Sequence, residues 1–138
     1  MPGASAGDTL AEIGPASDTG APLYRGEIEA RFVVRLIAFS CRCSEAEILG
    51  QERGASRISR ARQIAIYLLH TSLSLAYGEI GRLFNRDRTT ISHACRLIED
   101  LRDDPKMDQF ICELEAIIDL ASSMWRRPAS IPAPETRP

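Results

Sequence analysis

The chain lacks the motifs that mark most metal-binding, nucleotide-binding and catalytic proteins. Its four cysteines, Cys41, Cys43, Cys95 and Cys112, contain no C-x-x-C pair. Cys41 and Cys43 lie one residue apart, a poor ligand spacing even in combination with His70 or His93. No metal is therefore expected, and the thiols read as reduced and mostly buried. There is no G-x-x-x-x-G-K-[ST] phosphate loop, and no nucleophile with an acid–base partner surrounds either histidine. No cofactor is expected, and the sequence argues against an enzyme. The apolar run over residues 32–39 is interrupted by Arg35 and is far too short to span a bilayer. The N-terminus, MPGASAGDTLAEIG, has neither a basic n-region nor an apolar h-region, so the expected setting is cytoplasmic, without a membrane partner. No internal repeat is evident.

What is present suits one compact soluble domain with tails. Of 138 residues, 44% are hydrophobic and 26% charged, enough for a single core. Residues 1–24 are rich in Gly, Ala, Ser, Pro and Asp and hold only Leu10, Ile13 and Leu23 as large apolar residues, so they read as a disordered arm. Residues 25–124 carry the periodic apolar pattern of a folded domain, and the proline-rich residues 125–138 read as a disordered tail.

Within the domain the expected class is all-α, a small helical bundle. Ile28, Phe32, Val33, Leu36, Ile37 and Phe39 form an apolar face over residues 26–39. Ser44 and Glu47 have capping-box spacing, so a short helix follows and ends at Gly50. Residues 60–72 are apolar almost all round, the mark of a central helix, with Arg60 and Arg62 exposed on its first turn. Pro105 begins a final helix carrying Met107, Phe110, Ile111, Leu114, Ile117, Ile118 and Leu120, with Glu113, Glu115 and Asp119 outside. Its expected role is to cover the core.

Between the central and final helices, residues 75–101 read as two helices joined by a tight turn. Ala76, Ile80, Leu83 and Phe84 make one face, Asn85, Arg86 and Asp87 break the pattern, and Ile91, Ala94, Cys95, Ile98 and Leu101 make a second face. Asp87 is placed to cap the second helix. The opposite side of that helix carries Thr89, Ser92, His93 and Arg96, with Arg88, Thr89 and Thr90 in the first turn, where a recognition helix meets base edges.

Net charge is −2, which taken alone argues against a polyanion. The distribution argues otherwise: residues 53–102 hold nine arginines against four acids, and acids gather in the flanks. Residues 51–62 contain Arg53, Arg57, Arg60 and Arg62 with no acid after Glu52, which reads as an exposed basic loop. Two readings stand beside each other, a solvated charge run and an arm that reaches the minor groove. Expected DNA contacts are Arg57, Arg60, Arg62, Arg86, Asp87, Arg88, Thr89, Thr90, Ser92, His93 and Arg96. Arg88 can read guanine O6 and N7 through its fork or hold a phosphate. Thr90 lies near the core side, so packing is open to it as well.

RARQIAIYLLH followed by EIGRLFNRDRTTISHACRLIEDL resembles the C-terminal DNA-binding domain of the bacterial replication initiator DnaA. Arg60, Arg62 and Gln63 match the family's Arg-x-Arg-Gln, and Asp87, Thr89, Thr90, His93 and Ala94 match its Asp-His-Thr-Thr and His-Ala motifs. The chain departs at Arg88, where the family has histidine, at Ala76 for a frequent serine cap, and at Gly78 for a frequent proline. The resemblance implies a Trp-repressor-like bundle with a helix-turn-helix and a basic loop. It implies binding to double-stranded DnaA-box-like sites, with Arg60 as the minor-groove arginine. The missing phosphate loop leads us to expect a domain acting without its own ATPase, as a monomer, in replication initiation or its regulation. The same helices also suit a transcriptional regulator, or a module that binds a replication or transcription protein.

Overall fold

The computed structural model describes residues 25–51 and 55–130, with the side chains of 25 and 126–130 left aside. The expected arm and most of the expected tail lie outside the described residues. Six helices follow one another among them: α1 (Arg25–Cys41), α2 (Glu45–Leu49), α3 (Ser56–Thr71), α4 (Tyr77–Phe84), α5 (Arg88–Leu101) and α6 (Pro105–Ser130). This is the all-α class read from the pattern.

α3 is the centre. Ile58, Ala61, Ile64, Ala65, Ile66, Tyr67, Leu68 and Leu69 are all buried, and α1, α2, α4 and α5 pack around them. It begins four residues earlier than expected. Gly54, Ala55 and Ser56 read locally as loop, but burial of Ile58 stabilises the extra turn, and Ile58 and Ser59 donate their N–H groups to Ala55 O at 2.9 and 3.1 Å. Arg57 therefore stands on a helix.

α1 turns Ala30, Val33, Val34, Ile37 and Ala38 inward, the i, i+3, i+4, i+7 stripe of an amphipathic helix. Phe39, expected in that stripe, is 84% exposed, because two residues on from Ile37 it lies more than half a turn away, on the side opposite the buried stripe. α1 ends in a Schellman motif: Arg42 takes φ 61°, Cys43 N donates to Ala38 O at 2.9 Å, and Arg42 N donates to Phe39 O. The capping box of α2 forms as read, with Ser44 Oγ accepting from Glu47 N and Glu47 Oε1 accepting from Ser44 N.

α6 buries Ile111, Leu114 and Ile118 but leaves Ile117, Leu120 and Met124 exposed, so only part of its apolar set covers the core. It also runs past the expected boundary at 124. Trp125 packs edge-on against Phe32 with ring centroids 5.2 Å apart, which extends the folded unit by a turn. Arg102, just after α5, ties that helix to α6. Its Nε donates to Asp108 Oδ1 at 2.6 Å, its Nη1 to Glu115 Oε2 at 2.9 Å and to Tyr67 Oη at 3.1 Å.

The turn between α4 and α5 is a second Schellman motif. Asn85 takes φ 55°, Asn85 N donates to Arg82 O at 3.3 Å and Arg86 N to Gly81 O at 2.8 Å. A Cβ on Gly81 would lie 2.5 Å from Arg86 O, so only glycine allows the chain to fold back this closely. Gly78, on the same helix, faces open space. Gly81→Ala is accordingly expected to cost at least about 2 kcal/mol, whereas Gly78→Ala is expected to stabilise by about 0.5–1 kcal/mol, both read by urea unfolding.

Candidate nucleic-acid interface

The face opposite the buried stripe of α5 is built by helical spacing. Ile91, Ala94, Cys95 and Ile98 are buried, which turns Thr89, Ser92, His93 and Arg96 outward on positions three or four apart. Arg88, Thr89, Thr90, His93 and Arg96 are exposed and Ser92 is half-buried. Thr90 was open to a packing role, and its exposure removes that reading. Arg88, Arg96 and Arg82, at the end of α4, form no ion pair among the described residues and are exposed.

The one acid at the start of this face is turned back into the helix. Asp87 Oδ1 accepts from Thr90 N at 2.9 Å, which makes it the N-cap expected from the sequence. Its carboxyl is held below the usual carboxylate range, chiefly by that backbone N–H and then by the Thr90 hydroxyl. The cap thus leaves the first turn of α5 with donors, hydroxyls and positive charge.

The arginines before and between these helices divide into two groups. Arg62, expected on the exposed first turn of α3, is buried at 6% exposure. The earlier helix start explains the correction, since it places Arg62 a turn and a half inside α3, facing α2. There Nε donates to Ile48 O and Nη2 to Glu47 O, both at 2.7 Å. Burial, and then the neighbouring Arg86 charge, lower its pKa. A guanidinium so placed braces α2 and does not face solvent.

Arg57 is exposed, but its Nη1 donates to Cys41 O and Arg42 O at 3.1 and 2.6 Å, on the carbonyl end of α1. Arg86 is half-buried and donates from Nη2 to Gly50 O at 2.8 Å. Arg60 is half-buried, with a buried Nε that has no hydrogen-bond partner, and Gln63 Oε1 is in the same state. Of the basic segment's described arginines, Arg57 and Arg62 are bonded to carbonyls and Arg60 is not.

Sequence reasoning missed Gln51, Gly81 and Arg102, and it placed Asn85 in the turn without seeing its left-handed capping role. Gln51 Nε2 donates to Phe84 O at 2.9 Å across 33 residues, and no local pattern announces such a contact. Gly81 followed four residues later by Asn85 is a helix-ending signal that could have been read. No group of three or more His, Cys, Asp or Glu able to hold a metal occurs among the described residues. His70 Nδ1 lies 2.9 Å from Leu75 O and its ring stacks on Tyr77, a structural place. Burial pushes the Cys95 thiol up to about 11.

Together these elements define a helix-turn-helix domain whose second helix presents a polar, basic face, with its own acids, Glu99 and Asp100, only in the last turn. Residues 31–98 match the family model for the bacterial DnaA protein helix-turn-helix, and the domain is of that DnaA C-terminal type. Similar proteins include the chromosomal replication initiator protein DnaA of Gloeothece citriformis, 32% identical over 73% of this chain and 22% of the relative. That of Xanthobacter autotrophicus is 41% identical over 50% of this chain and 14% of the relative. The crystal structure of a DNA replication initiation factor superposes with a TM-score of 0.63 at 26% identity, over 83% of this chain and 35% of that one. The chain thus spans about a fifth of the length of the first of these relatives. No helix among the described residues is long and apolar enough to cross a membrane.

Two outcomes are expected from the site's own bonds. Arg62→Ala removes the donor from two carbonyls and should lower folding stability by about 2–3 kcal/mol in urea titration. The Asp87 carboxyl is depressed in the fold, so its contribution is complete above the usual value of 3.8 and is lost as pH falls through the lower folded value. Asp87→Asn keeps an acceptor that does not titrate, and melts recorded from about pH 2 to pH 5 should show a shallower acid limb than wild type.

Proposed function

We propose that this chain binds double-stranded DNA sequence-specifically at DnaA-box-like sites, and that it does so as a monomer in replication initiation or its regulation. The observation that carries the reading is the outer face of α5, where Arg88, Thr89, Thr90, Ser92, His93 and Arg96 precede the helix's own acids, Glu99 and Asp100, which come only in its last turn. α5 enters the major groove, with Arg88 in its first turn, and Arg60 supplies the contact from the start of α3. Arg57, Arg62 and Arg86 support these elements from behind. Double-stranded DNA is the partner, and the setting is the cytoplasm at the nucleoid. The proposal covers DNA recognition alone.

One observation favours a second reading. Ile117, Leu120 and Met124 form an exposed apolar stripe along α6, and such a stripe suits a protein partner in replication or transcription.

Fluorescence anisotropy with a DnaA-box duplex and a scrambled duplex, each at two salt concentrations, tests the first reading. The box should bind more tightly, with affinity falling as salt rises because phosphate contacts release counterions. Equal affinity for both duplexes counts against it. Arg88→Ala is expected to cost about 1–3 kcal/mol at one base pair, read across a set of single-position variants, because a guanidinium forks onto guanine. Arg96→Ala should weaken all sites alike and flatten the salt slope by about one unit.

A further inference from the structure

The turn of the helix-turn-helix is joined to the chain after α2 by a reciprocal pair of side-chain bonds. Gln51 Nε2 donates to Phe84 O at 2.9 Å, and Arg86 Nη2 donates to Gly50 O at 2.8 Å. Each segment gives one side chain and one carbonyl, and the contacts span 33 and 36 residues. The two bonds close a small ring between elements that are remote in sequence.

That ring continues on both sides. Arg62, inside α3, donates to Glu47 O and Ile48 O at the end of α2, directly before Gly50. Arg86 lies two residues before Arg88, the first residue of α5. An unbroken series of bonds therefore runs from α3 through the end of α2 and across the Gln51–Arg86 ring to the start of α5. Arg60 stands at one end of this series and Arg88 at the other.

We propose that Gln51 and Arg86 are positioning residues that set the placement of α5 relative to the start of α3, so that both meet one duplex in register. The inference rests on the DNA-binding reading above. Gln51 is itself exposed, and the one bond it gives to Phe84 O, at the end of α4, fixes a distance between two contact elements. Arg86 reaches Gly50 from within the turn, which the Gly81–Asn85 geometry holds in a single conformation. Gln51 and Arg86 each donate to a backbone carbonyl, and their effect on specificity passes through Arg88.

Gln51→Met keeps the length of the side chain and removes the donor. The test compares wild type, Gln51→Met, Arg88→Ala and the double variant on a preferred duplex from an unbiased selection and on a scrambled duplex, with salt titrations and melting curves. The expected result is a loss of about tenfold on the preferred duplex, the factor of one ordinary hydrogen bond, with a much smaller change on the scrambled duplex. The salt slope should not change, since no phosphate contact is lost, and the melting temperature should stay within about 3 °C of wild type. In the Arg88→Ala background the loss should shrink to less than about threefold, the non-additivity of residues that act as a unit.

Equal losses on both duplexes, a salt slope reduced by about one unit, additive losses or an unchanged affinity would each overturn the inference. So would a chain that no longer folds, because the ring would then hold the fold together and not the placement. A wild-type chain for which selection finds no preferred duplex would overturn the DNA-binding reading itself. A wild type that discriminates while Gln51→Met matches it overturns only the positioning role.

Discussion

A helix of five residues cannot hold itself together, because nucleation costs more than so few internal bonds return. α2 is such a helix, and the site depends on its staying in place. Its N-terminus is satisfied by the Ser44–Glu47 capping box. Its C-terminus is satisfied from outside by Arg62, which is buried in α3 and donates to two of its last carbonyls at 2.7 Å. Ile48, fully buried, supplies the apolar anchor. The Gly50 carbonyl that receives Arg86 thus follows directly on a helix end held by this guanidinium.

Placing an arginine there has an electrostatic consequence. A buried cation is costly unless its donors are used, and Arg62 sits near Arg86, which raises the cost further. Carbonyl oxygens at the ends of α1 and α2 carry partial negative charge, so Arg57, Arg62 and Arg86 find favourable partners without any carboxylate. Arg102 behaves differently, since Asp108 and Glu115 compensate its charge directly. A net charge of −2 is thus compatible with a basic face, because the acids that offset the arginines lie largely on other elements.

Helix positions were legible in the sequence wherever burial is periodic. α3 as a central helix, the α5 stripe and the caps Ser44 and Asp87 all follow from spacing and from the need to satisfy first-turn N–H groups. The failures share a cause. Arg62 and Phe39 were misjudged because exposure depends on what packs against a residue, and the local sequence says only which face it occupies. Counting arginines shows that a segment is basic but not which guanidiniums are committed to carbonyls. Gln51 was invisible for the same reason, its partner being 33 residues away. The resemblance to the DnaA helix-turn-helix located the region and its motif but could not separate readers from braces.

The departures from the family motif acquire physical meaning in this frame. Ala76 cannot accept at the N-cap of α4, yet Glu79 Oε1 still accepts from Ala76 N at 2.9 Å, so half of the capping box persists. Gly78 meets nothing within 4 Å and gives up only helix propensity. Both weaken the supporting helix slightly and leave the turn intact, since that turn depends on Gly81 and Asn85. Arg88 is the departure with chemical weight. It replaces a single imidazole donor or acceptor with a planar fork of charged donors at the first position of α5, where Asp87 is already committed to the cap. A change confined to that position can alter what is read without altering how the helix is held, which is the condition for a new base preference on an unchanged scaffold.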